Sequence, residues 1–174
     1  MNKAELVEAV AEKAELSKRD AEAAVDAVLE EYIRPTDDMT LAAADRLCEK
    51  VMKYAKERGV NAVVAVSNKG GHPVCVKCAD NSFIASYDIA LNKAFTVVAL
   101  KMTTKELSAL ASPGGSLYGI QFTNGGKIVI FGGGEPLKNK NGEIIGGLGV
   151  SGGTEELDTA IAKYGREIFE KGTK

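Results

Sequence analysis

The chain has 174 residues, of which 45% are hydrophobic and 26% are charged, and its formal net charge is -2. This length fits one domain with a small addition. The balanced charge argues against nonspecific binding to nucleic acid, which needs a strongly basic surface.

Three features bear on where the protein works. No apolar run approaches the ~20 residues that a membrane span needs. The opening stretch "MNKAELVEAVAEKAEL" is charged throughout and lacks the apolar region of a secretion signal. The three cysteines, an odd number, fit a reducing compartment better than a disulfide framework. We therefore expect a cytoplasmic protein.

Residues 1–33 differ in character from the rest, since they are net acidic and the remainder is net basic. Apolar residues recur at helical spacing in "ELVEAVAEKA", and Ser17-x-x-Asp20 indicates the start of a second helix. Pro35 then disfavours helix at the residue before it. The sequence predicts a helical hairpin over residues 1–33, appended to a main domain over residues 34–174.

The segment "MNKAELVEAVAEKAELSKRDAEAAVDAVLEE" closely resembles the opening helices of the bacterial histone-like HU proteins. In that family these helices build the dimer, whereas later β-arms and basic residues grip DNA. The resemblance stops before any such arm, so it implies self-association without nucleic-acid contact. Two other roles stay open for the segment, namely docking on the shell of a bacterial microcompartment and packing on the chain's own domain.

From residue 40 the patterns indicate a helix, two strands, two helices, three strands and a last helix. The strands "VNAVVAVSN" and "HPVCVKCA" are joined by the turn "KGG". A capping box, Thr103-x-x-Glu106, begins the third helix. "KIVIF", "EPLKN" and "EIIGGLGV" follow as strands, the last two joined by Asn141-Gly142. Tight turns between successive strands predict an α+β fold with an antiparallel five-stranded sheet and helices on one side.

A glycine pattern in the last strand, Gly147-x-Gly149-x-x-Gly152, has the spacing of a dinucleotide-binding turn. That turn works inside a βαβ unit, where a second parallel strand follows the helix. Here the helix takes up nearly all of the remaining sequence. Glu155 and Glu156 would also repel a phosphate at the start of that helix. The pattern therefore does not indicate a nucleotide site.

The run "GKIVIFGGGEPLKNKNGEIIGGLGVSGGTEELDTAIA", residues 126–162, instead resembles the family variously called GlcG, HbpS-like or haem-degrading. That family includes the C-terminal domain of PduO-type corrinoid adenosyltransferases. The shared features are a glycine-rich strand entry ending at Pro136, a strand of the type G-x-x-G-V-S-G-G, and Asp158 in the next helix. The earlier segment "SYDIALNKAF" matches too, so the resemblance covers about residues 38–170.

The resemblance implies a five-stranded antiparallel sheet with flanking helices, assembled into tetramers or octamers. It also implies a tetrapyrrole cofactor, haem or a corrinoid, and no nucleotide. Relatives lie beside operons for glycolate, propanediol or ethanolamine use, which makes a microcompartment lumen an alternative location. Our first hypothesis is a cofactor-binding protein rather than a catalyst. The alternatives are a structural assembly protein without a cofactor and an accessory enzyme in those pathways.

Candidate cofactor contacts follow from the resemblance and from the residue types. They are His72, Asp88, Lys93, Tyr118, Asn124, Gly133, Gly134 and Ser151. The single histidine is the candidate haem iron ligand, because haem needs an axial ligand; an ordinary surface turn is the other interpretation. Asp88 and Lys93 lie on an otherwise apolar helix, so they line a pocket, pair across a subunit contact or mark a solvated edge. The sequence offers no Ser-His-Asp triad, and we predict no catalytic residues.

The cysteines give no further site. Cys75-x-x-Cys78 has the spacing of half a zinc site, but structural zinc takes four ligands. Residues three apart in a strand point to opposite faces, so these two thiols would diverge. Cys48 lies on an apolar helical face and is predicted to be part of the core.

Overall fold

The computed structural model describes residues 3–32 and 38–172. These belong to two compact units, residues 1–37 and 38–174. Within the described ranges, every helix is too short or too polar to cross a bilayer.

The N-terminal unit contains two helices, α1 (Lys3–Ala14) and α2 (Lys18–Tyr32). Val7, Ala21 and Val25 form its small core, and none of them is more than 4% exposed. The predicted helical hairpin is therefore confirmed. Its stability rests on packing between the two apolar stripes, because isolated helices of this length are marginal in water.

The predicted start of the second helix is also seen. Ser17 Oγ accepts a hydrogen bond from the Asp20 N–H at 3.2 Å, which satisfies one of the free N–H groups of the first turn. The break expected at Pro35 lies outside the described residues.

Over residues 38–172 the main unit has four α-helices, four strands and two short 3-10 helices, Ile120–Phe122 and Asn124–Gly126. The α-helices and strands are α3 (Leu41–Glu57), β1 (Val63–Asn68), β2 (Pro73–Cys78), α4 (Ala85–Leu100), α5 (Thr104–Ala111), β3 (Gly134–Lys138), β4 (Ile144–Ser151) and α6 (Glu155–Gly172). The capping box predicted at Thr103 and Glu106 begins α5, with both of its hydrogen bonds formed.

The sheet has four strands in the order β2-β1-β4-β3, and every neighbouring pair is antiparallel. The prediction of five strands is wrong, because "KIVIF" forms no ladder. One side chain of α4 contacts two of its backbone groups instead. Thr96 Oγ1 accepts the Val129 N–H at 3.0 Å and lies 3.2 Å from the carbonyl oxygen of Lys127. Ile128 and Val129 are buried without being in a strand.

Helices cover both faces of the sheet, which corrects the expectation that they cover one. Val64 and Val66 of β1 pack into the core formed with α3 and α6. Val63 and Ala65 point the other way and pack on α4. A strand buried on both faces reads as a continuous apolar run, and "VVAV" is such a run.

The glycines of β4 allow α4 to lie directly on the sheet. A Cβ atom at Gly147 would collide with the carbonyl oxygen of Ala94, and one at Gly149 with that of Ala90. Both obstacles are backbone atoms, so neither can move aside alone. The glycine pattern that suggested a nucleotide turn therefore serves the close packing of a helix on a strand.

Candidate functional site

Two of the predicted site residues, His72 and Ser151, lie at opposite ends of the sheet. Ser151, the last residue of β4, pairs with Val63 at the start of β1. Asn68, at the end of β1, pairs with Gly146 and leads into the turn that carries His72. Six strand residues span about 17 Å, so His72 and Ser151 do not share one small site.

At the Ser151 end, a buried ion pair joins α4 to α6. Lys93 Nζ lies 2.9 Å from Asp158 Oδ2 and donates to the Val150 carbonyl oxygen at 2.7 Å. The lysine is 0% exposed and Asp158 is 4% exposed. The second carboxylate oxygen, Oδ1, accepts the Gly153 N–H at 2.9 Å. One pair thus connects two helices, the end of β4 and the turn after it.

Burial governs the electrostatics of this pair. Removal from water lowers the pKa of Lys93, and the neighbouring charge of Asp158 opposes that effect. The ring of Phe131 covers the ammonium group, with its centroid 5.0 Å from Nζ. Gly133 has a φ of +110°, and a Cβ there would lie 2.6 Å from Nζ. Only glycine meets both demands at this position.

Above the ion pair is a pocket of about 280 Å³. Its floor includes Ser86 and Ser151, whose hydroxyl oxygens are 3.1 Å apart and which are 3% and 5% exposed. At the rim, Glu155 Oε1 accepts the Gly132 N–H at 3.0 Å and pairs with Lys105 Nζ at 2.9 Å. These contacts lower the pKa of the Glu155 carboxyl group, the Gly132 N–H being the larger cause.

At the other end, His72 is exposed in the turn between β1 and β2. Asn68 Oδ1 accepts the backbone N–H groups of Gly70 and His72, each at 3.0 Å, and so fixes the turn. A second pocket, of about 200 Å³, is lined by the neighbours of His72 on both sides together with α4. Its aromatic wall is Phe95, and Lys127 Nζ lies 5.6 Å from the centre of that ring.

The remaining predicted residues line neither pocket. Asp88 is exposed in the first turn of α4. Tyr118 and Asn124 are exposed in the connection between α5 and β3. Gly134 is buried and donates its N–H to Thr104 Oγ1 at 2.8 Å, which fixes the start of β3. As contacts to a cofactor, these residues stay predictions.

Two buried polar residues, Ser86 and Glu135, were not predicted from the sequence. Ser86 is the second residue of α4, a position where serine is common, and only the fold shows that it faces Ser151. Glu135 in β3 is 5% exposed, burial raises the pKa of its carboxyl group, and Arg166 Nη1 lies 3.3 Å from its Oε2. A charged residue in an edge strand usually faces water, so its burial could not be anticipated.

The cysteines fit their predicted roles as structural residues. Cys48 is fully buried in the core, and burial raises the pKa of its thiol. Cys75 packs partly buried against α3, whereas Cys78 is exposed. Within the described ranges, no cluster of three histidine, cysteine or acidic side chains could hold a metal ion.

Comparison with known proteins gives two family matches. Residues 39–167 match the family described as haem degrading protein HbpS-like. Residues 1–36 match the family of bacterial DNA-binding proteins, in agreement with the HU resemblance of the helical hairpin.

Two relatives illustrate the sequence similarity. An uncharacterized 15.0 kDa protein from the dhaT-dhaS intergenic region of Citrobacter freundii is 43% identical over 133 residues, which cover 76% of this chain and 93% of that protein. The corrinoid adenosyltransferase PduO of Salmonella typhimurium is 36% identical over 128 residues. That match covers 74% of this chain but only 38% of PduO.

Solved structures agree with these matches. The protein ORFY of Klebsiella pneumoniae has a TM-score of 0.72 at 43% identity, over 75% of this chain and 90% of that one. A PduOC:haem complex has a TM-score of 0.71 at 34% identity, over 75% and 94%. A double mutant of HbpS from Streptomyces reticuli has a TM-score of 0.67 at 27% identity, over 75% and 86%.

Proposed function

We propose that this chain, which belongs to the haem-degrading HbpS-like protein family, binds haem and does so as a homo-oligomer. One observation supports haem as the ligand. A relative that is 34% identical over 75% of this chain has been solved as a complex with haem. Because members of one fold can differ in function, the ligand must also fit the residues present here.

The surroundings of His72 fit haem in three respects. The imidazole is exposed in a fixed turn, and none of the described hydrogen bonds uses its ring nitrogens, so an iron ligand is available. Leu91 and Phe95 give the adjacent pocket an apolar wall for a porphyrin face. Lys127 lies at the edge of that wall and supplies a cation for a propionate group.

The exposure of this site supports the oligomeric part of the proposal. A pocket of about 200 Å³ covers only part of a ligand as large as haem. A second copy of the chain would cover the rest of the ring and exclude water from the iron. When bound, haem supplies an iron centre for redox or Lewis-acid chemistry. The roles of this chain's residues are ligation by His72, packing by Phe95 and charge pairing by Lys127.

Replacing His72 with alanine is expected to weaken hemin binding on the order of tenfold or more, since it removes the axial ligand. Hemin is titrated into the full chain, and the saturable shift of the Soret band is followed. Lys140→Ala, in the exposed turn between β3 and β4, serves as the matched control and should bind as the unaltered chain does.

A His72→Ala variant with unchanged affinity would remove this site assignment while leaving haem as the ligand. No saturable band in the unaltered chain would reject haem and favour an assembly protein without a cofactor. Cobalamin titrated in parallel tests the corrinoid alternative.

We also propose that the N-terminal hairpin joins copies of the chain. The match of residues 1–36 to a DNA-binding family whose opening helices build a dimer favours this role over docking on a microcompartment shell. Deleting residues 1–37 is expected to reduce the oligomer size measured by light scattering, because one set of subunit contacts is lost. An unchanged size together with loss of binding to purified shell proteins would instead support shell docking.

A further inference from the structure

The pocket above the Lys93–Asp158 ion pair is separate from the proposed haem site, since it lies at the other end of the sheet. We infer that it binds a small uncharged molecule that has an apolar end and an acceptor such as a carbonyl or hydroxyl oxygen.

The floor has one hydroxyl hydrogen without an acceptor. Ser86 and Ser151 share a single hydrogen bond between their hydroxyl oxygens, at 3.1 Å. Each hydroxyl carries one hydrogen, so whichever serine donates, the hydrogen of the other is left over. No further side-chain hydrogen bond of either serine exists among the described residues. Both residues are at least 95% buried, and an unused donor in a buried position is costly. A ligand oxygen would satisfy it.

The charges around the pocket cancel. Asp158, which lines the pocket, is paired with Lys93, and Glu155 at the rim is paired with Lys105. An anionic ligand would therefore meet two carboxylates, and a cationic one would approach the buried ammonium group. The pocket favours neither charge sign. An uncharged ligand therefore fits best, because its transfer out of water costs the least free energy.

The walls give the ligand its apolar end. Phe83, Ile89 and Phe131 line the pocket around the two serines. At the rim, both contacts of Glu155 use Oε1, so Oε2 is left to accept from an N–H or O–H group of the ligand. A molecule with a branched alkyl group and a primary amide matches this arrangement of donor, acceptor and apolar surface.

The test uses three probes of one shape and different charge: isobutyramide, isobutyrate and isobutylamine. Each is titrated into the isotopically labelled full chain, and backbone amide shifts are followed by NMR. We expect saturable shifts at Ser86 and around Gly152 with isobutyramide, and at least about tenfold weaker binding of the two charged probes.

Two variants and one control locate the site. Ser86→Ala/Ser151→Ala removes both hydroxyl groups, and with them the unused donor, and should weaken isobutyramide binding about fivefold. Ala85→Leu fills the pocket from its exposed rim and should abolish binding without touching the serines. Ser112→Ala, an exposed serine on α5's C-terminal side, should change nothing.

The inference fails if isobutyramide gives no saturable shifts, if the charged probes bind as tightly as isobutyramide, or if Ser86→Ala/Ser151→Ala and Ala85→Leu both bind normally. Thermal unfolding of each variant is measured to check that the variant is folded. His72→Ala should keep isobutyramide binding intact, so the outcome is independent of the haem proposal.

Discussion

Replacing Lys93 with methionine is expected to lower the free energy of unfolding by about 3–5 kcal/mol. The substitution keeps most of the side-chain volume but leaves the carboxylate of Asp158, which is 4% exposed, buried without its cation. It also removes the donor to the Val150 carbonyl oxygen. Urea denaturation followed by circular dichroism gives the change.

Two further variants show whether the effect comes from the unpaired charge. Lys105→Met breaks an ion pair whose lysine is 58% exposed, and its cost should stay within about 1 kcal/mol. In the double variant Lys93→Met/Asp158→Leu, no charge is left unpaired, and much of the lost stability should return. If the double variant loses more stability than the single variants Lys93→Met and Asp158→Leu lose together, the cost does not come from an unpaired buried charge.

Replacing Gly149 with alanine is expected to lower the free energy of unfolding by about 3 kcal/mol, at the upper end of the usual cost of overpacking. The new methyl group would collide with the carbonyl oxygen of Ala90, a backbone atom in the middle of α4. The collision is relieved only if the whole helix moves away from the sheet. Because Val63 and Ala65 pack under the same helix, that movement would open their contacts as well.

The matched control is Gly172→Ala, at the end of α6, where an added Cβ meets nothing within 4 Å. It should leave stability unchanged or slightly raised, since alanine favours helix. Equal stability of the Gly149→Ala and Gly172→Ala variants in thermal unfolding would show that α4 adjusts at low cost.

Local signals predicted the elements that depend on neighbouring residues. The capping box at Thr103 and Glu106, the helix start at Ser17 and the turn before His72 all involve contacts within four residues. "KIVIF" was predicted as a strand because its residues favour one, yet its backbone bonds to Thr96, about 30 residues earlier. Such long-range partners overrule local preference.

The candidate site was less predictable for the same reason. Lys93 needed a partner, which the sequence indicated, but Asp158 lies 65 residues away and only the fold brings it near. His72 and Ser151 looked compatible with one site until the strand register placed them at opposite ends of the sheet. The residue types indicated polar candidate residues, but only the strand topology shows which of them lie close together.

The pairing of β1 with β4 has a consequence for synthesis on the ribosome. This central ladder joins segments about 80 residues apart, and β4 also supplies the only described partner of β3. The sheet therefore cannot close until nearly all of the main unit has left the exit tunnel. The N-terminal hairpin, whose contacts are local, can form long before that. The nascent chain can thus carry a folded hairpin ahead of an unfinished sheet.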